Sequence, residues 1–288
     1  MRSVGAVIIV LTLSSSSAWS WGYQGHRIIA EGACQAMPEP MRIFYKSATA
    51  RISGASIEPD SILKPRDGEA EQRRHFINLE ILSAFPFTDI PPSLQEAQER
   101  YGRRKLEKSG LLPWHIARVH DDLRSAFRER SWNEVARKSG WLSHYIADAY
   151  QPLHATVNFD GQKTCNQGIH LAFETDLIDR YKALFRSECV LPPAMGDPDP
   201  VPDPAALMLA ELRASHELVA DLLRADTKAV RAVKSGRADY FEELERSAGP
   251  MARDQMKKAA SMVLRFWHSA WVDAGRPELP AQLPRRQR

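Results

Sequence analysis

Cysteine is scarce in this chain, with three in 288 residues: Cys34, Cys165 and Cys189. An odd number cannot all pair, so at least one thiol stays free. Cys165 and Cys189 flank one helical stretch and make the favoured pair. Cys34, on an amphipathic helix, is expected as a buried thiol. Long apolar runs are also missing. The longest, Val4 to Leu13, is about ten residues, whereas a bilayer span takes roughly 20, so no transmembrane anchor is expected. Charge of one sign is lacking too. A formal net charge of +3 is too mild to announce nucleic-acid binding by bulk electrostatics, and clusters such as Arg73-Arg74 and Arg103-Arg104-Lys105 are common on helical surfaces. Alternating Val/Ile/Thr stretches are rare, which excludes a substantial sheet; His75 to Leu79 is the best strand-like fragment. No internal repeat stands out.

What is present begins with an export signal. Arg2, the apolar run and the small residues Ala18 and Ser20 read as residues 1–20 of a cleaved signal peptide, with Trp21 as the new amino terminus. A secreted or periplasmic location follows. Helical spacing then dominates: Gln24 to Ala36, Ser93 to Gly102 with Ser93 as cap, Trp114 to Arg128, Asn133 to Leu153, Gly168 to Phe185, Ala205 to Ala225 and Asp239 to Trp271. Residues 191–204 carry six prolines and must form a long loop. The expectation is an all-α chain with one compact multi-helix domain over residues 21–276 and a flexible tail over 277–288.

Nine histidines are present, and their spacing to carboxylates matters more than their number. His144 and Asp148 lie four apart, as do His170 and Glu174; on a helix each pair shares a face, with about 5–6 Å between Cβ atoms. His154 falls between the pairs, just after Pro152. A single pair reads equally well as a surface ion pair. Two pairs with an intervening histidine suit zinc, which accepts imidazole nitrogen and carboxylate oxygen. His120-Asp121 is an adjacent dyad of the kind found in HD phosphohydrolases, but that reading leaves residues 144–174 unexplained. The remaining histidines, His115, His216 and His268, fit no ligand position.

Read in order, the series is Trp21 at the cleavage point, Gly25-His26, an isolated Asp, His75-Phe76-Ile77, His144-Tyr145-Ile146-x-Asp148-x-x-Gln151-Pro152-Leu153-His154, and Gly168-Ile169-His170-x-x-x-Glu174. This series resembles the zinc-dependent phospholipase C and S1/P1 nuclease superfamily. The resemblance implies three Zn2+ ions. Asp60, His75, His144 and Asp148 would hold the first, and His154, His170 and Glu174 the second. The third would take the Trp21 amino nitrogen and carbonyl, His26 and Asp148. Asp67 competes with Asp60 for its place, although Asp67-Gly68 also reads as a turn. Asp60 and Asp148 are the catalytic candidates, and Phe76 and Asn78 the substrate-binding ones.

The implied activity is hydrolysis of phosphate diesters by a monomer, with phospholipid or single-stranded nucleic acid as substrate. The compact start and an aromatic at Phe76 are similar to the nuclease branch. Glu174 as last ligand is similar to the phospholipase branch, while Asp160-Gly161-Gln162 departs from the Gly-Gly-Asn turn of the nucleases and Asn78 stands where they usually have Asp. The balance leans to phospholipase C-type headgroup hydrolysis, with DNA/RNA cleavage as the alternative and a helical zinc-binding protein without catalysis as a third reading.

Overall fold

A computed structural model describes residues 21–284; the expected signal peptide, residues 1–20, lies outside them. All regular structure among the described residues is helical. We label the long helices α1 (Gly22–Ala36), α2 (Met41–Ala55), α3 (Leu112–Arg128), α4 (Trp132–Ala149), α5 (Pro204–Glu217), α6 (Val219–Lys234) and α7 (Tyr240–Asp273).

α4 is the hub. Leu142, Tyr145, Ile146, Ala147 and Ala149 are all buried, and the helix packs on α1, α2, α3 and α7. An element enclosed on that many sides can carry buried polar side chains only where they meet partners, which sets up His144 and Asp148. α2 approaches α4 most closely at Gly140, where an added Cβ would lie 2.5 Å from Ala55 Cβ and 2.6 Å from Ile52 O. Both neighbours belong to a packed helix and cannot swing aside. Gly140→Ala is expected to destabilise the fold by about 3 kcal/mol through overpacking, read as a drop of several degrees in the denaturation midpoint. An unchanged midpoint would show that α2 can move away freely.

Ser93 caps its helix as the sequence suggests, its Oγ accepting from Glu96 N at 3.3 Å, and Asp239 caps α7, its Oδ1 accepting from Phe241 N at 2.9 Å. Other expectations change. The strand-like fragment is no strand: Ile77 N donates to His154 O at 2.8 Å and Asn78 N to Ser109 O at 2.6 Å, two unrelated partners that fix an irregular segment. The helix expected to reach Leu153 ends at Ala149, and His154 sits in a separate 3-10 turn, Pro152–Ala155. The stretch expected from Ala205 to Ala225 divides at Leu218 and continues to Lys234. α2 has no counterpart in the sequence reading, because its Ser, Thr and Gly residues blur the apolar stripe.

The favoured Cys165–Cys189 disulfide is not formed. Cys165 is exposed, Cys189 and Cys34 are buried, and all three are free thiols. At the carboxyl end, Trp271 Nε1 donates to Pro277 O at 2.9 Å, and Leu279 and Leu283 rest on the core. No helix among the described residues is long and apolar enough to cross a membrane.

Candidate metal centre

Two helical turns on either side of α4 are wound wider than α: Pro59–Leu63, which carries Asp60, and Ala172–Asp176, which carries Glu174. Such π turns occur most often at functional sites. Together with α1, α4 and the 3-10 turn they converge on a buried set of histidines and carboxylates.

Three groups form there: Asp60, His75 and His144; His26, His144 and Asp148; and His154, His170 and Glu174. Within each group the ligand-type atoms lie within 4.8 Å of one another. Asp148 stands between the first two. Its Oδ2 is 2.9 Å from His75 Nδ1 and 3.5 Å from His144 Nε2, while its Oδ1 is 3.6 Å from His26 Nε2. The rings of His26 and His144 stack at 3.9 Å. In the last group, His154 Nε2 and His170 Nε2 are 3.2 Å apart, and Glu174 Oε2 is 2.8 Å from His170 Nε2 and 3.5 Å from His154 Nε2.

The main chain settles which nitrogen carries the proton on three rings. Nδ1 of His144 donates to Ser56 O at 2.8 Å, that of His154 to His75 O at 2.7 Å, and that of His170 to Phe159 O at 2.7 Å. Each Nε2 then presents a lone pair to the group. Two lone pairs facing each other at 3.2 Å repel unless a proton or a cation lies between them. Tetrahedral zinc at about 2.0–2.1 Å from each nitrogen spaces its ligands by roughly 3.3 Å. The anchoring of the far nitrogen by a carbonyl is the arrangement that orients metal-binding imidazoles. Asp60 Oδ2 and Glu174 Oε1 are, moreover, buried without a hydrogen-bond partner. These residues fit divalent cations.

Electrostatics agree. Burial pushes the Asp60 carboxyl up to about 6, against the opposing pull of Lys64, whose Nζ is 2.5 Å from Oδ1. Burial also works to raise Glu174, but His170 and His154 outweigh it and hold the carboxylate down to about 2. Burial, joined by neighbouring positive charge, lowers His75 and His144 well below the ordinary histidine range, and burial lowers His154. For His170 the burial effect is outweighed by Glu174, and its pKa rises.

Asp67 is not in the cluster; Arg66 holds it at 2.7 and 2.8 Å on the surface. Trp21 is fully buried. Its indole Nε1 donates to Ala147 O at 2.6 Å, its ring packs on Phe173, and its carbonyl accepts from Gly25 N at 3.1 Å. The start of α1 is thereby pinned beside Asp148. His120, of the HD dyad, sits against Phe266 away from these groups. Phe76 and Asn78 line a cavity of about 170 Å³ with Gln72, Leu153, Phe159, His154 and His170. Gly110, at φ 95°, supports Phe76 from behind; an added Cβ would lie 2.2 Å from Phe76 O.

Several participants escaped the sequence reading. Gln151 Nε2 donates to Glu174 Oε2 at 2.9 Å, and its place inside the His144–His154 motif was the available signal. Asp160 Oδ1 accepts from Gly168 N at 3.0 Å and His170 N at 3.2 Å, fixing the approach to His170. Lys64 and Glu71 lie four residues from Asp60 and His75, a spacing that was the available signal, while Phe159 had none.

No protein-family model matches the chain. A probable serine protease of Bradyrhizobium tropiciagri is 25% identical over 212 residues, 64% of this chain but only 26% of that protein. The chain therefore spans about a quarter of that relative's length. In the present structure the buried serines beside the cluster, Ser56 and Ser143, donate to the carbonyls of Ser53 and Gly140. Among solved structures, alpha toxin from Clostridium absonum matches with a TM-score of 0.56 and 14% identity, over 88% of this chain and 67% of that one. The alpha-toxin of Clostridium perfringens avian strain SWCP matches with a TM-score of 0.51 and 13% identity, over 88% and 65%. At these identities the likeness shows the fold alone: the chain shares the all-helical fold of these alpha-toxins.

Proposed function

We propose that the protein is an exported hydrolase that holds three zinc ions and cleaves phosphate diesters, with phospholipid headgroups as its leading substrates. The observation that carries this reading is the joined pair of His/carboxylate groups sharing His144 and Asp148, set beside a third group that opens through His154 and His170 into a cavity. A purely structural site would have no reason to open onto a cavity.

Bound divalent ions would supply Lewis acidity toward phosphate oxygens and acidify water at neutral pH. The chain's own residues do the rest. Asp148 presents one oxygen to each of two groups and so sets their separation. Asp60, buried in the first group with no hydrogen-bond partner at Oδ2, is placed to accept a proton from the attacking water there. Phe76 and Phe159 give the cavity an apolar wall, and the Asn78 amide offers both a donor and an acceptor.

The cavity mouth favours lipid. Phe159 lines the cavity and is an exposed aromatic side chain, which suits substrates packed in a lipid surface more than a polyanion in water. Phe76 favours the second reading, single-stranded nucleic acid, because a base stacked on it would gain about 1–3 kcal/mol.

Zinc-loaded protein starting at Trp21 should be offered phosphatidylcholine, single-stranded DNA and RNA in parallel. Lipid turnover is expected to dominate, with Phe76→Ala lowering kcat/KM by about 10- to 100-fold and Asn78→Asp changing substrate preference. Nuclease activity that Phe76→Ala abolishes, with no lipid turnover in either protein, would replace the lipid reading by the nuclease one.

The amino terminus adds a separate test. With the signal peptide removed, the Trp21 α-amino group, with a reference pKa near ~7.7, becomes available as a ligand beside His26 and Asp148. One residue added before Trp21 is expected to cost one of three zinc equivalents by elemental analysis. An extended chain with three ions and normal turnover would remove Trp21 from the ligand set and leave the side-chain groups intact.

A further inference from the structure

His75 faces the cluster differently from its neighbours. His144, His154 and His170 turn Nε2 inward and anchor Nδ1 on carbonyls. His75 turns Nδ1 inward, 2.9 Å from Asp148 Oδ2 and 3.0 Å from His144 Nε2. Its outward nitrogen, Nε2, is buried and makes no hydrogen bond. The charged atom facing it is Glu71 Oε1, at 3.4 Å.

Glu71 is fully buried, an expensive place for a carboxylate. Arg74 Nη1 donates to its Oε2 at 2.5 Å, and the Tyr145 hydroxyl donates to its Oε1. Tyr145 lies on α4, one residue after His144, and its ring is 5.3 Å from that of His75. Glu71 is thus held from two sides and set behind His75, four residues on.

From this geometry we infer that Glu71 is a positioning residue for the metal centre. It keeps the His75 proton on Nε2, so that Nδ1 keeps its lone pair for a cation shared with Asp60, His144 and Asp148. His144, His154 and His170 use a neutral carbonyl for this task, whereas the group that faces His75 is a carboxylate. An anion behind an imidazole raises the basicity of its opposite nitrogen and fixes the ring's tautomer. The Arg74 ion pair holds the carboxylate in place and keeps it from turning toward the cluster as a competing ligand, and the Tyr145 hydroxyl adds a second donor. This assignment rests on the proposal that the cluster binds metal.

The test measures metal affinity and not only turnover. Zinc affinity is read by competition with a chromogenic chelator, and the Co2+-substituted protein is read by its visible absorption. Glu71→Gln keeps the size of the side chain and an acceptor for Tyr145 while removing the charge. It is expected to weaken one of the metal equivalents by about 10- to 100-fold and to shift the Co2+ spectrum. In a His75→Ala background the same substitution should change neither. Tyr145→Phe removes the hydroxyl but leaves the carboxylate facing His75, and its affinity should stay within about twofold of the parent. It decides the question even if Glu71→Gln fails to fold. Wild-type affinity in Glu71→Gln, or an equal loss in Tyr145→Phe, would reduce Glu71 to an anchor for α4. Wild-type protein that binds no metal would instead overturn the metal reading itself.

Discussion

Asp148→Asn is expected to lower kcat/KM by at least about a thousandfold, equivalent to about 4 kcal/mol of transition-state stabilisation, and to leave one metal equivalent of three. The reason lies in its position. Its two oxygens face His75 and His144 on one side and His26 on the other. An amide of the same shape loses the negative charge that both groups share, and its NH2 group would confront at least one nitrogen that must present a lone pair. The group of His154, His170 and Glu174 does not involve Asp148 and should keep its ion. Elemental analysis with steady-state kinetics and circular dichroism decides the outcome. Three ions and undiminished turnover in a folded Asp148→Asn protein would sink the shared-ligand role.

The second large effect concerns stability. Chelation is expected to lower the denaturation midpoint by about 10 °C or more. One ion bound a thousandfold above its dissociation constant stabilises a native state by about 4 kcal/mol, and for a chain of this size each kcal/mol moves the midpoint by roughly 2–4 °C. The metal-free protein should also weaken in acid. His75, His144 and His154 have pKa values lowered by burial, so the stability linked to each is present above its unfolded value near ~6.5 and is lost as pH falls. Glu174, held down to about 2, adds a loss that starts near its unfolded value of about 4.3. Asp60 and His170, both raised, act in the opposite sense but are outnumbered. A midpoint indifferent to chelator, or a metal-free protein most stable near pH 4, would contradict the account.

The legibility of the site followed its geometry. His144 with Asp148, and His170 with Glu174, were readable because a helix converts a spacing of four into a shared face. Phe76 and Asn78 were named through family resemblance, and they line the cavity with His154 and His170. Asp60 had almost no local context, since its placement depends on a wide turn that no periodicity announces. Glu71 and Lys64 lie four residues from His75 and Asp60, but no helical pattern marked those stretches, and Phe159 matters through residues distant in sequence. The fold class was readable because helices dominate and alternation is absent. The strand-like reading of 75–79 failed because apolar alternation there serves an irregular segment whose partners, His154 and Ser109, come from far along the chain.

The two wide turns have a further consequence, best expressed as helical phase. In an unbroken α-helix Glu174 would share a face with Leu177 and Ile178, and Asp60 with Leu63 and Lys64. Leu177 and Ile178 are core residues, whereas Glu174 joins His154 and His170 in the candidate metal centre. A π turn holds about one residue more than an α turn of the same height, and one residue is worth roughly 100° of rotation. The extra residue lets the chain aim a carboxylate at the cluster and then re-aim its apolar stripe at the core within the same rod. Deleting one residue from either turn would restore a continuous phase. The helix could then satisfy the cluster or the core, but not both.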